Sequence, residues 1–158
     1  MDNISFIPFS VSDFSAFRES SIKEYAQDLI ASGQSTEADA HKAASNEFDE
    51  ILPEGFCTPY HFLYHITNKQ GEIIGFIWFE SRENDAFICD FAINENQRRK
   101  GYGRKALTEL ERIVGEKGIA IISLHVFEHN IPAIALYQSM GYQVSEEGSG
   151  GCFMAKRL

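Results

Sequence analysis

Hydrophobic and polar positions along the chain keep two different periods, and the switches between them mark out the elements. Ile4–Phe9 alternates weakly and predicts a short first strand. Phe14, Phe17, Ile22, Tyr25, Ala26, Leu29 and Ile30 recur at helical spacing, behind Ser12 or Asp13 as a cap and ahead of Gly33 as a stop. A second helix opens at Ser35 or Thr36, with Glu37 and Asp39 in its first turn. It turns Ala40, Ala43, Ala44, Phe48 and Ile51 inward until Pro53 ends it. Three strand-like runs follow, Pro59–Thr67, Ile73–Glu80 and Ala86–Ile93, joined by short polar connections as in an antiparallel meander. A helix then runs from about Gly103 to Lys117, with Ala106, Leu107, Leu110, Ile113 and Val114 on one side. Ile119–Phe127 is apolar nearly throughout, which predicts a strand covered on both faces. Asn130 starts a last helix, with Ala133, Leu136, Tyr137 and Met140 on one face and Gly141 beyond its end. Strands near Tyr142–Ser145 and Cys152–Arg157 flank the turn-prone Glu146–Gly151. The order β-α-α-β-β-β-α-β-α-β-β, without repeat or linker, predicts one α/β domain over residues 1–158 with a mixed sheet.

Charge divides that domain. The chain holds 23 acidic and 14 basic side chains, a net of −9 that argues against duplex nucleic acid and anionic membrane as partners. No apolar run approaches the roughly 20 residues of a membrane span, and MDNISFIPFS has no basic segment of secretory type. Cys57, Cys89 and Cys152 are odd in number and share no C-x-x-C spacing, as expected of free thiols in a reducing cytoplasm. Residues 1–58 hold 11 acidic against 3 basic side chains, whereas residues 59–158 hold 12 against 11. Within the second part, Arg98, Arg99, Lys100, Arg104 and Lys105 gather five of the 11 cations into eight positions.

Those cations stand where a strand ends and a long helix begins. Backbone N–H groups at a helix start have no intrahelical acceptor, and the helix dipole adds positive potential there. Glycine at 101 and 103 allows a ligand close to the main chain. Lys and Arg at this end oppose the dipole, at about 0.3–1 kcal/mol each when exposed. Helix stability therefore does not account for the cations, and a bound polyanion does. The loop lacks the G-K-[ST] ending of a Mg²⁺-nucleotide site and is not G-x-G-x-x-G, and an antiparallel meander precedes it. A nucleotide-binding module is accordingly disfavoured.

The pattern of Arg98, Gly101 and Gly103 resembles the acyl-CoA diphosphate loop of the GNAT acetyltransferase superfamily, R/Q-x-x-G-x-G/A. A second block, running from Asn130 through Ala133, Leu136, Tyr137 and Gly141 to Tyr142, is similar to that family's N-x-x-A-x-x-L-Y-x-x-x-G-F/Y segment. The two blocks lie in the family's order with a strand between them. The resemblance implies a GNAT-like fold: a central, mostly antiparallel sheet with one parallel β-α-β crossover and helices on both faces. It implies acetyl-CoA as acyl donor, lying between the strand ending at Ile93 and the strand Ile119–Phe127. The main chain of Phe91, Ala92 and Ile93 would bond the pantetheine arm, and Arg98, Arg99, Lys100, Gly101, Tyr102, Gly103 and Arg104 would wrap the diphosphate. Arg98 and Lys105 also have a plain reading as solvated side chains. Asn130 and Ala133 would meet the donor as well, although Asn130 is a competent helix cap on chemistry alone.

The same resemblance gives Tyr137 the role of the acid that protonates the leaving CoA thiolate; its plain reading is a core aromatic. A substrate ammonium with a pKa near 10.4 must lose a proton before it can attack a thioester. His125 is the candidate base, in a position where ribosomal-protein N-terminal acetyltransferases carry a carboxylate. Asp90 and Glu80 are the alternatives, and His129 reads as a solvated loop residue. His41, His61 and His65 show no metal-ligand spacing, so no metal is expected. The helices around Phe14–Leu52, part of an acceptor-side segment 1–58, would wall the acceptor pocket of the 59–158 acyl-CoA-binding core. Their negative charge fits a cationic acceptor, a small-molecule amine or a basic peptide. A non-catalytic acyl-CoA sensor of the same fold is the competing expectation. Cys152–Arg157 is a candidate for joining a partner's sheet in a homodimer.

Overall fold

The computed structural model describes residues 4–158. β1 (Ile4–Pro8) leads into α1 (Val11–Ala31) and α2 (Glu37–Ile51). A 3₁₀ turn at Gly55–Cys57 precedes β2 (His61–Asn68), β3 (Ile73–Ser81) and β4 (Ala86–Ile93). A second 3₁₀ turn, Glu95–Gln97, leads to α3 (Tyr102–Glu116). β5 (Ile121–Phe127), α4 (Ile131–Ser139), β6 (Gln143–Gly148) and β7 (Gly151–Arg157) complete the chain. The seven strands form one sheet in the order β1-β2-β3-β4-β5-β7-β6. Only β4 and β5 run parallel, and α3 makes the crossover between them. The mixed α/β architecture read from the sequence is the one observed.

The sheet carries a hydrophobic cluster on each face. On one side Leu107, Leu110 and Val114 of α3 and Tyr137 of α4 bury against Ile77, Phe79, Leu124 and Met154. Each such aliphatic side chain contributes about 1.5–3 kcal/mol when fully buried. That exceeds the cost of the cations at the start of α3, so packing seats the helix and its first turn is left free for other work. On the other side Phe17, Ile22 and Leu29 of α1 and Ala44 and Phe48 of α2 cover Leu63 and Trp78. Ser10 caps α1 in a reciprocal capping box with Asp13. The cap thus falls at Ser10 rather than Ser12 or Asp13, and the helix begins at Val11, three residues ahead of Phe14, where the apolar stripe starts. On α2 Ala43 and Ile51 are exposed rather than inward.

One expectation is overturned and one open possibility is closed. β5 is not covered on both faces: Ile122, Leu124 and Val126 are buried, while Ile121, Ser123, His125 and Phe127 remain half-buried. The second set faces the α1 side, where the helices do not reach the whole strand. Nor is β7 free to join a partner sheet, because it is paired on both edges, to β5 and to β6. The sheet edge there is β6, which is exposed along its whole length.

Candidate active site at the divergence of β4 and β5

β4 and β5 pair over only three positions, Ala86↔Ile122, Phe87↔Ser123 and Ile88↔Leu124. Beyond these the strands part, while β4 continues to Ile93 and β5 to Phe127. The parting begins at a bulge. Trp78 of β3 faces Asp90, but its neighbour Phe79 faces Ile88, so Cys89 is an extra residue in β4. The extra residue breaks the alternation of faces. Cys89 packs into the cluster under α1 and α2, and Asp90 turns to the same side, beside Ser21 and Glu24 of α1.

The register also fixes where the backbone of β4 points. The N–H of Asn94 donates to the carbonyl of Ile74 at 2.8 Å. Counting back in twos, Ala92 opposite Phe76 and Asp90 opposite Trp78 are the hydrogen-bonded pairs. The N–H and C=O groups of Phe91 and Ile93 therefore point away from β3, into the opening that β5 has left. Two side chains of the same segment hold two of these groups. The Phe91 N–H donates to Oδ1 of Asp90 at 2.9 Å, and Nε of Arg98 donates to the Ile93 carbonyl at 2.8 Å.

At the far end of this strand edge lies the start of α3. Arg99 (φ 64°) and Gly101 (φ 81°) are both left-handed, and they curl the main chain into a concave nest. The backbone N–H groups from Arg99 to Arg104 have no protein acceptor among the described residues. A methyl group on Gly101 would meet nothing within 4 Å, so the residue serves the turn and leaves the space above it open. Gly103 leaves its own amide open and has a second constraint. A Cβ there would lie 3.0 Å from Cδ2 of Leu136, so its smallness also serves the packing of α4 on α3. Arg104 donates to Oγ of Ser139 at 2.8 Å, Lys100 reaches the side chain of Gln97 at 3.3 Å, and Lys105 lies over the Tyr102 ring. Arg99 is exposed. Six open amides with five nearby cations fit a diphosphate.

Asn130 caps α4, its Oδ1 accepting from the Ala133 N–H at 3.3 Å. The helix aims Tyr137 into the core beside Tyr142, and Tyr137 is 7% exposed. Its hydroxyl has no protein partner among the described residues, and no fully buried polar side-chain atom there is left unpaired. The ring is therefore enclosed while the oxygen reaches open space. Burial raises the Tyr137 pKa above the usual phenol range, and the nearby charge of Asp90 raises it further. Burial also lifts the Asp90 carboxyl to about 7; Glu24 and Asp28 of α1 add to the rise, and the bonds from Phe91 and Ser21 oppose it. Asp90 thus lies on the α1 side of the sheet and Tyr137 on the side covered by α3 and α4.

The other candidates stand apart. His125 is half-buried on the open side of β5, between the rings of Phe127 and Phe153. Burial lowers its pKa, so the ring is neutral at pH 7, and Glu47 of α2 partly offsets this. Glu80 lies opposite Phe87, at the end where β4 and β5 still pair, and is engaged by Arg82 at 3.0 Å. His129 is not merely solvated, because it pairs with Asp28 of α1 at 3.0 Å. Close by, α1 and α2 enclose an open hollow of about 340 Å³ lined by Tyr25, Asn46, Glu47 and Glu50 among others. Tyr25 rests on Phe127 with ring centroids 6.0 Å apart, which joins that hollow to the side of β5 where His125 stands.

Sequence reasoning did not find the bulge, and so did not aim Asp90; no residue pattern at Cys89 marks it. Among the described residues no group of three or more His, Cys, Asp and Glu side chains is placed to hold a metal ion. No helix there is long and apolar enough to cross a membrane.

Comparison with known proteins agrees with this geometry. The chain is 33% identical to the uncharacterized N-acetyltransferase YycN of Bacillus subtilis, over 90% of this chain and 94% of that one. It is 36% identical to the uncharacterized N-acetyltransferase YdgE of the same organism, over 84% and 87%. The crystal structure of YycN superimposes with a TM-score of 0.88, covering 92% of this chain and 95% of its own. At 19% identity, the PaiA N-acetyltransferase of Thermoplasma acidophilum, solved in complex with coenzyme A, shares the fold with a TM-score of 0.74, covering 98% of this chain and 99% of its own. Residues 23–142, which contain the parted strands, the open helix start and Tyr137, match the acetyltransferase (GNAT) family, and the chain is an enzyme of that family.

Proposed function

We propose that this acetyltransferase moves the acetyl group of acetyl-CoA to a primary amine of a cationic acceptor, and that Asp90 and Tyr137 carry the two proton transfers. The observation that carries the proposal is the parting of β4 and β5, which opens the backbone of Phe91 and Ile93 to a ligand. Acetyl-CoA supplies an acyl group already activated as a thioester. Its diphosphate fits the open amides of Arg99–Arg104 and the cations around them, and the fold neighbour from Thermoplasma was solved with coenzyme A. A pantetheine arm leaving that nest along the free edge of β4 meets Ile93 first and Phe91 next. Lys100, Tyr102, Arg104, Asn130 and Ala133 belong to the same donor side, and Ala92 to its lining.

The acceptor comes from the α1–α2 face. Asp90 takes the proton of the amine. Its elevated pKa near 7 makes it a stronger base than an ordinary carboxylate, while it is still half ionised at neutral pH. Asp90 is preferred to His125 because its charge acts on Tyr137, whereas the charged neighbour of His125 is Glu47. The base and the acid must flank one reacting centre, and the bulge sets Asp90 where β4 and β5 part, bonded to the Phe91 N–H. Tyr137 remains protonated at all physiological pH and offers its unpartnered O–H to the departing sulfur. The backbone N–H of Phe91 is placed to stabilise charge on the carbonyl oxygen. His125, Tyr25 and Glu47 form the acceptor wall, and the acidic residues of α1 and α2 favour a cation there. The segments 1–58 and 59–158 divide as acceptor side and donor side of one domain. The three unpaired thiols suit a reducing, cytoplasmic setting.

The test is a panel of amines and basic peptides incubated with acetyl-CoA, with released CoA as the readout. Acetylation of cationic amines is expected to exceed that of neutral or acidic ones. No CoA release with any amine, together with no binding of acetyl-CoA by calorimetry, would refute the reading.

A further inference from the structure

Two of the four outward backbone groups of Phe91 and Ile93 are not left bare. Phe91 N–H is held by Asp90 at 2.9 Å and Ile93 C=O by Arg98 at 2.8 Å. Each holder is also a group with work elsewhere in the proposed site: Arg98 beside the diphosphate nest, Asp90 beside the amine. We propose that both side chains are place-holders, which the incoming thioester displaces from the backbone and thereby releases for their own tasks. The inference rests on the function proposed above and adds a coupling to it.

The geometry orders the exchange. Arg98 lies next to the left-handed turn at Arg99, so a diphosphate there offers its guanidinium a charged acceptor in place of a neutral carbonyl. Charge-assisted hydrogen bonds are roughly twice as strong as neutral ones, which favours the transfer. Ile93 C=O then becomes free to accept from an amide of the pantetheine arm. Further along the edge, the thioester carbonyl takes the Phe91 N–H from Asp90. No proton or electron moves in this step; one hydrogen bond is exchanged for another. The carboxylate that loses this donor becomes more basic. The groups that face it from the packed elements remain as they were: Ser21, Glu24 and Asp28 of α1, and Tyr137 of α4. Asp90 is therefore weakest as a base while the site lacks its donor, and strongest once the acyl group is in position. An amine bound alone meets a carboxylate committed to its own backbone.

Nuclear magnetic resonance on the full-length protein tests this directly, with CoA and a ketone analogue of acetyl-CoA in which a methylene separates sulfur from carbonyl. Both probes are expected to shift the amides of Arg99–Arg104 and the Arg98 side-chain signal. Only the ketone, which carries the acyl carbonyl, is expected to shift the Phe91 amide. It is also expected to move the Asp90 carboxyl titration upward, by on the order of one pH unit for loss of one hydrogen bond to a charged group. An Asp90 titration unchanged while the ketone visibly occupies the Arg99–Arg104 amides would overturn the exchange and leave the acetyltransferase reading standing. If neither probe shifts those amides, the proposed function and this inference fall together.

Discussion

The rings of Tyr137 and Tyr142 meet edge to face, with centroids 5.6 Å apart and planes at 60°. Tyr142 is itself fixed: its hydroxyl reaches Glu111, and Lys156 donates to the same carboxylate at 3.0 Å. Tyr137 is thus seated by its ring, and its hydroxyl makes no protein contact that substitution would break. Tyr137→Phe therefore removes the proposed acid with little structural cost. We expect turnover to fall roughly tenfold or more, less than the 10²–10⁴ usual for a general acid because a thiolate leaves readily. The dissociation constant for CoA by calorimetry should stay within about twofold. Unchanged turnover at saturating substrates would remove Tyr137 from the chemistry.

The element order and the two motif blocks were legible because they rest on periodicity and on glycine, asparagine and tyrosine at fixed offsets. Two features were not. The bulge at Cys89 leaves no local signature in Ile88-Cys89-Asp90, since it arises from how β3 and β4 pair, and without it the direction of Asp90 is undetermined. The packing constraint on Gly103 was hidden for a related reason. Its neighbour Leu136 lies 33 positions on, so only the packing of two helices shows what the missing side chain makes room for.

Asp90 yields opposite predictions for stability and for rate. Its carboxyl is raised from an ordinary 3.8 to about 7 in the folded protein. A raised acid means that folding disfavours the ionised form. Stability from this group is greatest below pH 4, declines as pH climbs from 4 toward 7, and is fully lost above 7. Asp90→Asn, which cannot ionise, should be more stable than the parent at pH 8, on the order of 4 kcal/mol by urea denaturation. The difference should shrink toward zero at pH 4. The same substitution should lower kcat by roughly a hundredfold or more, and the parent's rate should rise with pH through about 7. A variant whose advantage over the parent is no larger at pH 8 than at pH 4 would contradict the buried, like-charged setting assigned to this residue.

His125 separates the two candidate bases. Its ring is neutral at pH 7 and stands on the acceptor side, nearer Glu47 than Asp90 in its electrostatics. His125→Gln should raise KM for the amine several-fold while leaving the pH dependence of kcat in place. Loss of the pH-dependent limb in this variant, with the limb intact in Asp90→Asn, would transfer the role of base to His125.

The two glycines of the α3 turn predict different failures from the same substitution. At Gly101 an added methyl meets open space but must adopt φ 81°, which costs an L-residue about 1–2 kcal/mol. Gly101→Asn should be milder than Gly101→Ala, because asparagine tolerates that region better. At Gly103 the backbone is ordinary helix and the obstacle is Cδ2 of Leu136 at 3.0 Å. Gly103→Ala should therefore displace the Leu136 side chain by a few tenths of an ångström, and that strain should offset the gain of about 1 kcal/mol that alanine brings to a helix interior. Shortening the obstacle should relieve it: in the double variant Gly103→Ala with Leu136→Val, the losses in chemical denaturation should sum to less than those of the single variants. Gly101→Ala combined with Leu136→Val should instead be additive. Additivity in both pairs would show that Gly103 is not held small by Leu136.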